Sequence, residues 1–231
     1  MKTLLETDDS FVCEITAPCF QSLSQEEIAF IQQRRTRVQF RKGENLTKQG
    51  AYASYVLFVV NGLVRQYIEG EGDRNLNLHI MQDGDFIGLS VVFDNPVFNY
   101  STVAVTETLA YLIEKDALLK IIKANGSFAF NILKRYNGQS NSLFEIIKHI
   151  QFKQMNGRLA DTLLYLSNDQ FAGYNVFSNL SRKDIADFAG ISTESTIKLL
   201  KQYQKDGLLH LDDKNIIITN KPTLQEISKR G

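Results

Sequence analysis

Seven glycines punctuate the stretch from Phe20 to Ile113, and only short apolar runs lie between them, such as Val56–Val60, Leu76–Met81 and Thr102–Ile113. A helix with a buried face needs apolar residues every three to four positions over ten or more residues, and each interior glycine weakens it by about 1 kcal/mol. Runs this short, closed off by Gly43, Gly50, Gly62, Gly70, Gly72, Gly84 and Gly88, suit antiparallel strands joined by tight turns. They predict a barrel or a sandwich. Gly70 and Gly72 beside Asp73 mark a hairpin tip. A short amphipathic helix over Ser24–Gln33 precedes the strands, opened by Ser24 and Glu27 at capping-box spacing.

From Lys115 to about Ile150 the pattern changes to a helical one. Ala129, Ile132, Tyr136, Leu143, Ile146 (or Ile147) and Ile150 fall on one stripe, with Lys134, Arg135, Glu145 and Lys148 elsewhere. Such a stripe packs either on the barrel or on a second copy of itself. Gly138 and the polar run Gln139–Ser142 interrupt it, which argues against a perfect coiled coil. After Phe152 comes a small helical module with helices over Arg158–Leu166, Ser181–Ala189 and Ser192–Lys205. A hairpin follows, pairing Leu208–Leu211 with Ile216–Thr219 around Asp212–Asn215. The expected division is 1–118 for the barrel, 119–152 for the long helix region and 153–231 for the helical module.

Ser181–Lys205 carries the chemistry. Ser181 can cap a helix while Asp184 reaches back to it; Ala189 allows close helix approach, and Gly190 allows a sharp turn. Ser192 then caps a second helix whose inner face is Leu199, Leu200 and Tyr203 and whose outer face offers Thr193, Glu194, Ser195 and Lys198. This is the layout of a helix-turn-helix with a wing, the second helix reading the major groove of double-stranded DNA. Ser181, Arg182, Lys183 and Ser192 sit at helix starts, where phosphates are commonly held. One departure is Thr196, at a place where such motifs bury an aliphatic residue.

Charge sets limits on this. Lys plus Arg and Asp plus Glu are 26 each, so no basic coat exists and DNA contact depends on local placement. No apolar run approaches the roughly 18 residues of a membrane helix, and the N-terminal stretch with Glu6, Asp8 and Asp9 does not read as a signal peptide, so the expectation is a cytoplasmic protein. An enzyme of cupin type would gather two or three imidazoles with a carboxylate around a metal. His79 is the only histidine in the barrel stretch, and no nucleophile elbow or phosphate-binding loop is present. The reading is therefore not an enzyme and without a metal.

A β-barrel, a long helix and a winged helix-turn-helix in this order resemble the CRP/FNR family of bacterial transcription regulators. The matching residues are Arg41–Glu44 with Gly50, Val59 and Gly62 with Arg65, Gly84–Gly88, and Ser181–Lys205. The resemblance implies an α+β chain: an antiparallel jelly-roll barrel of cyclic-nucleotide-binding type, a dimerisation helix and the winged module. It implies a homodimer held through Ala129, Ile132, Tyr136, Leu143, Ile146 and Ile150, an inverted-repeat operator, and RNA polymerase as a further partner. It makes Glu194 a base contact, with Lys198 where the family often has Arg. An effector site would lie between barrel and dimer helix, at Phe86, Ile87, Gly88, Leu89 and Ser90 with Tyr100, Ser101 and Thr102. Members that bind cyclic nucleotides carry a Glu after the second glycine for the ribose and an Arg before the serine for the phosphate. Leu89 and Tyr100 stand there instead, so cAMP is not the expected effector. Iron–sulfur members use four cysteines. Cys13 and Cys19 are the only two here, so no cluster is expected. The alternatives are an effector-independent regulator and one that responds to thiol redox state through this pair.

Overall fold

Strands form in the first half because β-branched and aromatic residues alternate there with polar ones. The computed structural model describes residues 2–4, 20–72, 74–93 and 96–231. Cys13, Cys19 and Asp73 fall outside that set, and with them the thiol reading and part of the hairpin tip. The strands are β1 (Lys2–Leu4), β2 (Arg35–Phe40), β3 (Asn45–Thr47), β4 (Tyr55–Asn61), β5 (Val64–Glu69), β6 (Asn75–Met81), β7 (Phe86–Ile87), β8 (Ser101–Ala104) and β9 (Thr108–Glu114). They pair antiparallel into a sheet of order β1-β2-β9-β4-β7 and another of order β3-β8-β5-β6. In the first sheet Val38 stands opposite Ala110, Val56 opposite Ile113 and Phe58 opposite Tyr111, all of them buried. That cross-strand layer explains the apolar run of β4, a strand with a neighbour on each edge.

The helices of this half are α1 (Gln25–Gln32), α2 (Lys115–Ala124) and α3 (Gly126–Phe152). The Ser24–Glu27 capping box forms as the spacing predicts. Phe20 packs on Phe58, Phe86 and Phe128 with ring centroids 5.1, 5.5 and 5.8 Å away, which ties the start of α3 to the barrel core. The helical stretch is not continuous from Lys115. Asn125 leaves the helix, donates its amide to the Ser22 carbonyl (3.0 Å) and the Glu27 carboxylate (2.9 Å), and accepts from the Phe128 N–H (2.9 Å), so it ends α2 and caps α3. Gly138, by contrast, does not break α3, which runs unbroken for 27 residues.

The chain divides into two compact bodies, Met1–Glu69 with His79–Ser142, and Gly70–Leu78 with Leu143–Gly231. The second body contains α4 (Met155–Leu166), α5 (Val176–Asn179), α6 (Arg182–Ala189), α7 (Thr193–Lys205), the hairpin β10 (Leu209–Asp212) and β11 (Asn215–Ile218), and α8 (Lys221–Arg230). Leu159, Leu163, Ile185, Leu200 and Leu224 form its interior. The hairpin sits one residue from its predicted place. The elements α5 and α8 were not anticipated. Four residues are too few for a period, and α8 buries only Leu224, although Asn220 and Pro222 are start signals for it. Below α3, Asp161 of α4 accepts from His149 Nδ1 (2.8 Å) and pairs with Lys153 (2.6 Å), and Ser228 of α8 also donates to it.

Candidate nucleic-acid interface and barrel site

The reader helix is fixed by its caps. The Ser181 hydroxyl accepts from the Asp184 N–H at 3.1 Å, and the Asp184 carboxylate accepts from the Ser181 N–H at 2.8 Å. Gly190 ends α6 at φ +61°, a conformation costly for any residue with a Cβ. Ser192 then accepts from the Ser195 N–H at 3.1 Å and opens α7. Ile185, Ala186, Ala189, Leu200 and Tyr203 close the interior between the two helices. Thr196 is fully buried among them. Its hydroxyl donates to the Ser192 carbonyl at 3.1 Å, so the polar atom is satisfied within its own helix and the methyl faces the core.

One exposed face of α7 carries Glu194, Ile197, Lys198 and Lys201, at helical spacing. Glu194 and Lys198 pair at 2.8 Å with both side chains mostly in solvent. Such a pair contributes little, and either partner can swing to a nucleic acid. Thr193 is half-buried beside them, and the Ser195 hydroxyl accepts from Ser192 Oγ at 2.9 Å. Lys183 pairs with Asp187 at 2.8 Å. Arg182, expected at a phosphate, has partners within the chain. Its guanidinium donates to the Asp213 carbonyl at 2.9 Å and the Lys214 carbonyl at 3.1 Å, clamping the turn of the β10–β11 wing to the start of α6. Asp213 holds φ +50°, so this turn is one that a clamp stabilises. Ile197, three positions after Glu194, is an aliphatic residue on this otherwise charged face.

In the barrel, Gly88 takes φ +83°, and a Cβ there would lie 2.6 Å from Phe98 Cε1. Its N–H donates to the Tyr100 hydroxyl at 2.8 Å, which joins two of the expected effector residues. Burial pushes the Tyr100 phenol up to about 12, so it stays a neutral dipole and supplies no cation. Phe86, Ile87 and Leu89 are buried in the core cluster. Ser90 is half-buried, and Thr102 pairs with Thr47 at 2.8 Å between hydroxyl oxygens. Ser101 accepts from the Gln49 N–H at 2.8 Å and donates to Glu69. Glu69 also accepts from Lys48 at 2.7 Å, and these hydrogen bonds, Lys48 first, hold its carboxyl below the usual range. Residues so far apart in sequence as Lys48, Glu69 and Ser101 left no spacing signal.

The α3 stripe differs from the predicted one. Ile132 is 1% exposed and packs in the barrel core, so it is removed from any partner face. Ile150 is half-buried and lies beside Gly190, and Ala129 and Ile146 are half-buried; Tyr136 stacks edge-on against Phe93 at 6.0 Å. The most exposed apolar residues of α3 are Phe152 at 77%, Phe130 at 67%, Leu133 at 61%, Phe144 at 60% and Ile147 at 59%, with Tyr136 and Leu143 less so. Phe130 and Leu133 are three apart, as are Phe144 and Ile147, and the polar run from Asn137 to Ser142 lies between the two pairs.

Residues 37–125 match the cyclic nucleotide-binding domain family and residues 157–227 the Crp-like helix-turn-helix domain family. A CRP-like cAMP-activated global transcriptional regulator of Mycobacterium tuberculosis is 24% identical over 216 residues, covering 90% of this chain and 95% of that protein. An anaerobic regulatory protein of Bacillus subtilis is 24% identical over 191 residues, 80% of each chain. Among solved structures, FixK2 from Bradyrhizobium japonicum aligns with a TM-score of 0.71 at 24% identity, over 84% of this chain and 96% of that one.

Proposed function

The chain belongs to the CRP/FNR family of DNA-binding transcription regulators, and on that premise we propose that it acts as a homodimer reading an inverted-repeat operator. The observation that carries the dimer is the apolar set of Phe130, Leu133, Phe144 and Ile147 on the outside of α3, each more than half exposed among the described residues. Large exposed aliphatic and aromatic side chains in register along a helix are what an interface between two copies needs. Two copies related by a two-fold axis present two reader helices to half-sites about one helical turn apart. RNA polymerase is then the partner through which bound dimers act, and the setting is the cytoplasm. Light scattering tests the seam: Leu133→Asp with Phe144→Asp gives monomers, and a variant that stays dimeric refutes it.

The effector reading is that cAMP is not the signal. An anion at Ser101 would meet the Glu69 carboxylate already held there by Lys48, and at Tyr100 it would find a neutral phenol. Leu89 is buried among apolar residues where a ribose partner would stand. A small effector of other chemistry remains compatible with the barrel. Calorimetric titration with cAMP should give no heat of binding at micromolar concentration; micromolar affinity would refute the reading.

A further inference from the structure

We propose that Ile197 reads the 5-methyl group of a thymine in each half-site of the operator. This rests on the DNA-reading role of α7. Ile197 is 39% exposed on the same face as Glu194, Lys198 and Lys201. Among the exposed residues of the first two turns of α7 it is the one without a donor or an acceptor. Nothing in helix stability favours it there: a β-branched residue has lower helix propensity than the lysine, glutamate or alanine that suits a solvated face.

What Ile offers instead is a rigid apolar surface. Its branching leaves one strongly preferred rotamer in a helix, so little side-chain freedom is lost on binding. Helical side chains lean towards the N-terminus, which carries Ile197 over the turn of Thr193 and Glu194, the end that enters the groove. The thymine methyl is the apolar group that the major-groove edge presents, and it separates thymine from cytosine at a pyrimidine. Three residues along a helix are about 4.5 Å, near one base-pair step, so the thymine lies next to the base pair read by Glu194.

The test starts from sites selected by the full-length wild-type protein from random duplexes. In the best site each thymine is replaced in turn by uracil, which removes only the methyl, and affinity is read by fluorescence anisotropy at fixed salt. One thymine per half-site should be sensitive, with about fourfold weaker binding per half-site on its replacement, the loss expected for one buried carbon. Ile197→Ala, whose thermal unfolding should match the wild type, should bind the thymine and uracil sites equally and select thymine and cytosine alike at that position. A wild type that prefers particular sequences without a uracil-sensitive thymine overturns the proposal and leaves DNA reading standing. So does equal uracil sensitivity in Ile197→Ala. A wild type with no sequence preference overturns the DNA-reading role itself.

Discussion

Replacing Arg182 by alanine removes two hydrogen bonds, to the Asp213 carbonyl at 2.9 Å and the Lys214 carbonyl at 3.1 Å. A hydrogen bond from a charged donor contributes about 1.5–3 kcal/mol when it is shielded. The Arg182 side chain is half-buried and water can take its place at a surface turn, so the lower end applies, and the pair together is worth about 1–2 kcal/mol. For a body of this size that corresponds to a fall of about 5–10 °C in melting temperature. Asp213 sits in the left-handed region, so its turn should open first, and amide exchange at Asp213 and Lys214 should quicken before the helices loosen. The competing role, a phosphate contact, leaves a different trace: losing one such contact lowers the salt slope of DNA binding by about 0.9. Urea unfolding, hydrogen exchange and anisotropy across a salt series read all three. Unchanged stability together with a slope reduced by about 0.9 would refute the clamp.

Thr196→Val keeps the branched shape and exchanges a buried hydroxyl for a methyl. Because the Ser192 carbonyl keeps its bond from the Thr196 N–H (3.0 Å), no acceptor is orphaned, and stability should hold or rise by up to about 1 kcal/mol in thermal unfolding. Gly88→Ala forces a side chain into the left-handed region against Phe98, at about 1–2 kcal/mol for the backbone and about 1–3 for the overpacking; calorimetry should show the first body melting about 10 °C earlier. For Asp161, burial raises the carboxyl, but hydrogen bonds from His149, Lys153 and Ser228 outweigh it and hold it below its usual range. Its stabilisation is therefore present above the unfolded value near 3.9 and is lost as pH falls through the folded one, so melting temperature should drop more steeply below about pH 4 in the wild type than in Asp161→Asn.

Local signals in the chain announce local structure well. Both serine caps, the left-handed Gly190 and the Ser24–Glu27 box follow from neighbours three or four residues apart, and each forms as its spacing requires. What periodicity leaves open is which of two stripes a helix buries in its own chain. On α3 both faces are apolar, and Phe20 and its ring contacts settle that Phe128 and Ile132 go inward while Phe130 and Leu133 stay out. The roles of Arg182 and Glu69 were equally beyond reading. Each depends on a partner 20 or more residues away, and a charge run looks the same whether its members face solvent or fasten a turn.

Asn125 also bears on how the protein ages. Gly126 follows it, and with no side chain at the next residue the backbone nitrogen can attack the Asn side-chain carbonyl, release ammonia and leave an aspartate or isoaspartate. In the folded chain that amide is held by Ser22 and Glu27 and its carbonyl oxygen by Phe128, which keeps the attack geometry out of reach. Once lost, the group could not return to its place. A carboxylate would face the Glu27 carboxylate and the Ser22 carbonyl, like charge against like, where two donors had been. Chemical wear at this one dipeptide would thus accumulate from molecules that open transiently between α2 and α3, and peptide mapping of stored protein would count those openings.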